Sequence, residues 1–185
     1  MLSLILLIRT SITQKVNIFT LIEKILPTYI IALSTASSSA AFHTNMETCE
    51  KELGIDTQIV NVGVPLSQSL FKPSFIIESS LGALCMARIY DVEITWSMVA
   101  TLLIMAFILS FATPPLPGAA ISSFALIFAQ CGVPAEAISL IIAFNAVTDR
   151  ISTPTNVLSQ QLELVQLSSS LHNLDHSILK KKKSK

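Results

Sequence analysis

The stretch NAVTDRISTPTNVLSQ, Asn145 to Gln160, continues an apolar run that begins near Ala137. It carries Asn145, Asp149, Ser152, Thr153, Asn156 and Gln160, at offsets 0, 4, 7, 8, 11 and 15. On an α-helix these offsets form one polar face. The other sides hold Ala143, Phe144, Val147, Ile151, Val157 and Leu158. A greasy helix with one stripe of amides, hydroxyls and a carboxylate suits a spanning helix that lines a site, since ionisable groups at membrane depth are costly and functional. Pro154 adds to this. It cannot donate to the carbonyl of Arg150, which leaves that oxygen available to a ligand, a cation or water.

Just before this helix, Gly132-Val133-Pro134 is a turn. Further upstream, Ile94 to Ala112 is the most apolar stretch, with Trp96 placed as an interfacial anchor. It stops at Thr113-Pro114-Pro115-Leu116-Pro117-Gly118, which regular helix does not accommodate. Apolar character resumes over Ala119 to Gln130.

The first half follows the same plan. Val16 to Ala41 is apolar and ends in the hydroxyl-rich patch Ser34 to Ala41. Such breaks sit at membrane depth only when buried in protein or lining a wet cavity, so Ser37, Ser38 and Ser39 read as a re-entrant tip. His43 to Thr57 is a polar connection, in which His43 is incidental. Gln58 to Tyr90 is apolar but interrupted by Pro65, by Phe71-Lys72-Pro73-Ser74-Phe75 and by Glu78. Pro73 and Lys72 in mid-span mark a discontinuous helix, and Lys72 needs a partner or a wet cavity there. Two units thus repeat: a hairpin with a special tip, then a broken spanning helix. Interrupted hydrophobic segments in corresponding positions of two halves point to a secondary transporter's binding site.

Composition agrees. Of 185 residues 51% are hydrophobic and 13% charged, against about 25% charged in ordinary soluble domains. Five of the twelve basic residues lie in the last six positions, Lys180 to Lys185. That run is too short and terminal for a nucleic-acid patch and reads as a cytoplasmic end. Cys49, Cys85 and Cys131 are scattered and give no disulfide framework or metal set. No nucleophile–base pair appears, so an enzyme and a bound cofactor are not expected. Met1 to Ile8 lacks the charge order of a signal peptide and is too short to span alone.

These motifs resemble the dicarboxylate/amino acid:cation symporter family, of the glutamate-transporter type, over roughly Asn17 to Gln160. The serine-rich tip is similar to Ser34 to Ala40. The second hairpin tip and its following turn resemble Leu116-Pro117-Gly118 and Gly132-Val133-Pro134. The last helix of the family reads here as Asn145, Asp149, Ser152-Thr153, Asn156-Val157 and Gln160, without gaps. The resemblance implies an all-α, multi-pass protein of the cell membrane, with two re-entrant hairpins each followed by a broken spanning helix. It corresponds to the C-terminal, substrate-carrying half. Residues 1–15 are then the remnant of a preceding helix, 16–50 hairpin 1, 57–90 helix 7, 94–133 hairpin 2, 136–167 helix 8, and 168–185 a polar, poorly ordered tail.

By the same resemblance, Ser37 to Ser39 and Pro117-Gly118 gate a small-molecule substrate, an amino acid or a dicarboxylate. Asp149 takes its ammonium and Asn156 its carboxylate, with Ser152 and Thr153 beside them. Coupling would be to sodium or protons, through Asn145, Asn156 and Gln160. A separate scaffold chain and a homotrimer are the implied protein partners, with the bilayer around them and no nucleic acid. The departures bear on substrate and ion. The family's arginine, which forks onto a side-chain carboxylate, is Ser152, so a neutral amino acid is easier to accommodate than an acidic one. The family's sodium-binding motif on helix 7 is replaced by Phe71 to Phe75, whose Phe, Pro and Lys supply no side-chain oxygen. Either the Lys72 ammonium substitutes for a bound cation, or the chain is a transport-inactive remnant or a subunit that needs its scaffold. Pro114-Pro115, at a tip that must move, favours the second.

Overall fold

Asn17, Asp56, Thr95 and Asp175 each place a side-chain oxygen ahead of a helical run, and each accepts a hydrogen bond from a backbone N–H of the first turn. This satisfies one of the donors that every helix start leaves open. A computed structural model describes residues 2–182, and among these the regular structure is helical, with one isolated bridge between Ile55 and Leu174. The fold class is therefore all-α, as the sequence implies.

The helices are α1 (Leu2–Gln14), α2 (Ile18–Thr35), α3 (Phe42–Glu47, extended by a π-helical turn Thr48–Glu52), α4 (Thr57–Leu70), α5 (Pro73–Ile89), α6 (Trp96–Ala112), α7 (Ala120–Cys131), α8 (Ala137–Ser170) and α9 (His176–Lys180). At 34 residues, α8 is about 50 Å long and forms the axis of the molecule. Its N-terminal half packs with α5 and α7, on which α6 packs in turn, around Leu102, Phe124, Phe128 and Ile141. Its C-terminal half packs with α1, α2 and α4 around Leu21, Val64, Leu162 and Val165. The two apolar cores leave the middle of α8 to polar groups.

Two stretches, Ile18–Thr35 and Thr57–Ile89, are long and apolar enough by length and composition to cross a membrane. α6 is apolar but shorter, and Trp96 at its start is 89% exposed.

The first long unit is broken where the sequence places the break. Phe71 and Lys72 leave helical geometry, with φ/ψ of −111/88 and −128/64. Pro73 forces this, since its ring pushes the preceding residue toward extended backbone, and it then serves as the first residue of α5. The second unit differs from expectation: α8 runs unbroken through Pro154. A mid-helix proline costs about 3 kcal/mol, and here both sides are anchored in a core. The hydroxyls of Thr155 and Ser159 also hold the neighbouring carbonyls of Ile151 (2.6 Å) and Thr155 (2.8 Å).

The C-terminal segment also corrects the expectation of a poorly ordered tail from residue 168. After α8 the chain folds back on the π-turn. Asp56 N–H donates to Asn173 O, and Asp175 N–H to Gly54 O at 2.8 Å. Leu179 is fully buried. Gly54 has φ +71, and a Cβ there would stand 2.6 Å from the Asp175 carbonyl, so only glycine fits this approach. Buried Lys24 of α2 donates to the carbonyls of Glu52 (2.6 Å) and Ile178 (2.8 Å). A cation at two helix ends suits their exposed carbonyl dipoles. Met1 and Lys183 to Lys185 lie outside the described residues.

Candidate functional site

The polar stripe of α8 faces three irregular segments: residues 36–41 between α2 and α3, the break at Phe71-Lys72, and residues 113–119 between α6 and α7. Between them lies a cavity of about 50 Å³, lined by Ser38, Lys72 and Thr113 and by Asp149, Ser152, Thr153, Asn156 and Gln160 of α8. That volume admits a few water molecules, and an amino acid enters only if a tip moves.

The amides of α8 satisfy the backbone groups exposed by the α4–α5 break. Asn156 Oδ1 accepts from the Ser74 N–H at 2.9 Å, and Gln160 Nε2 donates to the Phe71 carbonyl at 2.9 Å. With Oδ1 engaged, the Asn156 amide N–H₂ is what remains for the cavity. Gln160 Oε1 is buried with no partner among the described residues. Lys72 Nζ donates to the Thr113 carbonyl, and no carboxylate of the described residues lies within salt-bridge distance of it. Asp149 accepts from Thr153 Oγ1 at 2.9 Å and faces the backbone amide of Gly118. The cavity therefore contains one cationic and one anionic side chain that are not paired with each other.

The two tips touch over this cavity. Ser39 Oγ donates to the Pro115 carbonyl at 3.1 Å and receives a hydrogen bond from Gln68 Nε2 at 3.4 Å. Ser38 lines the cavity, whereas Ser37 is buried behind it and accepts from the Ala40 N–H. Pro117 and Gly118 are exposed at the apex of the second tip, where Gly118 takes φ +74.

Of the three residues expected at cation sites, Asn156 and Gln160 line the cavity, whereas Asn145 stands apart from it. Asn145 lies about three turns or more further toward the start of α8, and its Nδ2 donates to Glu78 Oε1 of α5 at 3.0 Å. Thr148 Oγ1 donates to the same oxygen, and Ser152 Oγ donates to Glu78 Oε2 at 2.6 Å. This buried carboxylate, 8% exposed, is a candidate site residue that sequence reading noted only as a break in the apolar run. Its signal was an acidic residue inside an apolar helix, which at membrane depth is a site marker by itself. His43 is on the surface beside Glu47.

The model of the sodium:dicarboxylate symporter family matches residues 1–163. The chain belongs to that family. An excitatory amino acid transporter of Caenorhabditis elegans is 27% identical over 151 residues, 82% of this chain and 30% of that protein. Excitatory amino acid transporter 4 of Rattus norvegicus is 30% identical over 146 residues, 79% of this chain and 26% of that protein. Human excitatory amino acid transporter 1 is 28% identical over 151 residues, 82% of this chain and 28% of that protein. The chain thus spans less than a third of the length of these relatives. Membership in a family of membrane symporters also agrees with a site built from hydrogen-bonding side chains around a small cavity.

Proposed function

We propose that this chain is the substrate-carrying part of a secondary transporter that moves an amino acid across the cell membrane by alternating access. In this reading the segments 36–41 and 113–119 are the tips of two re-entrant hairpins, over residues 16–50 and 94–133. Ser37 to Ser39 and Pro117-Gly118 act as the gates. Asp149 holds the substrate ammonium, and Asn156 holds its carboxylate through the free amide N–H₂, with Thr153 fixing the Asp149 carboxylate. The observation that carries the reading is the meeting of both tips with Asp149, Ser152 and Asn156 around one cavity.

Ser152 brings no cation to the site, so a neutral amino acid fits better than an acidic one. Lys72 stands in the cavity beside Asn156 and Gln160. Its ammonium replaces a coupling cation there, which makes transport independent of sodium. The exposed apolar residues of α1 and α2, such as Ile12, Phe19 and Ile30, face lipid or a separately encoded scaffold chain, the latter arranged as a homotrimer. The lysine-rich end faces the cytoplasm.

A second reading is favoured by Pro114-Pro115: a stiff tip that closes the cavity and does not reopen, giving a transport-inactive subunit. Uptake of radiolabelled L-serine and L-aspartate into proteoliposomes, with and without sodium, tests both. The first reading expects sodium-independent serine uptake. Sodium-dependent aspartate uptake contradicts the Ser152 and Lys72 arguments, and absence of any uptake supports the second reading.

A further inference from the structure

Ser152 lies on a partition. One side of its side chain lines the cavity that holds Asp149. The other lines an open groove of about 300 Å³ against α5, where Glu78 is found. The hydroxyl is committed to Glu78, donating to Oε2 at 2.6 Å. Asn145 and Thr148 donate to the other carboxylate oxygen. All three partners are neutral, and no Lys, Arg or His of the described residues lies within salt-bridge distance. The cavity wall at Ser152 is therefore backed by a carboxylate that accepts from three neutral donors and has no cation beside it among the described residues.

Lys72 does not cancel that charge. It is six residues before Glu78, about 9 Å along the helix by the rise per residue, and it donates to the Thr113 carbonyl of the opposite tip. Gln160, which binds the carbonyl next to Lys72, is eight residues from Ser152, about 12 Å along α8. The stripe has a cationic end at the α4–α5 break and an anionic end at Ser152.

We propose that Glu78 is a specificity-determining residue. Acting through Ser152, it turns acidic side chains away from the site and favours uncharged side chains that donate a hydrogen bond, such as a hydroxyl or an amide. This rests on the reading that the cavity binds an amino acid at Asp149. The family's arginine at position 152 would not restore acidic specificity by itself. Glu78 would take its guanidinium as a bidentate pair, leaving nothing to offer a substrate carboxylate.

The test is binding of radiolabelled L-serine and L-aspartate to the purified chain in lipid nanodiscs, with monodispersity checked for each variant. The parent chain is expected to prefer serine. Glu78→Gln reduces that preference by about tenfold or more, chiefly by strengthening aspartate, because a full charge is removed at short range. Glu78→Asp retains the charge and the preference. Ser152→Arg alone gains no aspartate binding, whereas Ser152→Arg with Glu78→Gln gains it. The proposal is overturned if Glu78→Gln binds serine with an unchanged ratio, or if Ser152→Arg alone binds aspartate as tightly as the double variant. A parent chain that binds neither amino acid overturns the cavity reading itself and takes this proposal with it, an outcome distinct from the other two.

Discussion

Ser39 and Pro115, 76 positions apart, are joined by a hydrogen bond of 3.1 Å from the serine hydroxyl to the proline carbonyl. Each stands in the irregular segment of its own helical pair, and the contact closes the cavity above Asp149. If these segments are gates, holding them together must stop ligand exchange. A chain carrying Ser39→Cys and Pro115→Cys, linked by a short bifunctional thiol reagent, is expected to lose exchange of bound serine, while either single variant retains it. Equal exchange in linked and unlinked protein would show that the tips do not gate.

Lys72 is 9% exposed with one carbonyl as its partner. A buried ammonium without a counter-charge is costly, and the role proposed for Lys72 in the cavity would offset that cost. Lys72→Met is expected to weaken serine binding by about tenfold or more, while the melting temperature holds or rises as the desolvation cost is removed. Thermal melts beside binding isotherms check this. A lowered melting temperature with unchanged affinity would make Lys72 a structural residue only.

Gly82 of α5 faces the ring of Phe124. A Cβ there would come within 2.8 Å of Phe124 Cε1 and 3.1 Å of Ile141 Cδ1. Phe124 is fully buried and cannot swing away. Gly82→Val is expected to destabilise the helical core by about 1–3 kcal/mol through overpacking. Denaturant titration reads this directly, and Phe124→Ala in the same chain should relieve part of the strain.

Asp175 caps α9 with its carboxylate, accepting from the N–H groups of Ser177 (2.8 Å) and Ile178 (3.2 Å) and from the Ser177 hydroxyl (2.6 Å). These bonds hold its carboxyl below the ordinary aspartate value. A lowered folded value gives stability that is present above the unfolded value, near about 3.9, and is lost as pH falls through the folded one. Hydrogen exchange at Ser177 and Ile178 should therefore accelerate only under acid, below about pH 4. In Asp175→Asn, which keeps a cap but no charge, that acid step should disappear.

Much of the site was legible in the sequence. The offsets of Asp149, Ser152, Thr153, Asn156 and Gln160 specify one helical face, and the cavity is built on that face. Pro73 marked the α4–α5 break because a proline acts locally on the residue before it. Pro154 carried the same local signal but was overruled, since two separate cores hold α8 straight on either side of it. The contact of Asn145 with Glu78 was not legible, because Glu78 lies 67 positions away and only packing of α5 on α8 brings them together. The fold-back of the C-terminus was hidden for a similar reason. It depends on Gly54, Asp56 and Lys24 meeting a short polar segment whose one buried anchor is Leu179, too little periodicity for a pattern to show.

The central claim is that Asp149 binds the ammonium of an amino acid within the tip-lined cavity. Equilibrium binding of L-serine to the parent chain and to Asp149→Asn, an isosteric change that removes the charge, tests it most directly. The account expects saturable binding by the parent and a loss of about a hundredfold in the variant, on the scale of a desolvated charge pair left half-made. Equal affinity in the two proteins would contradict it.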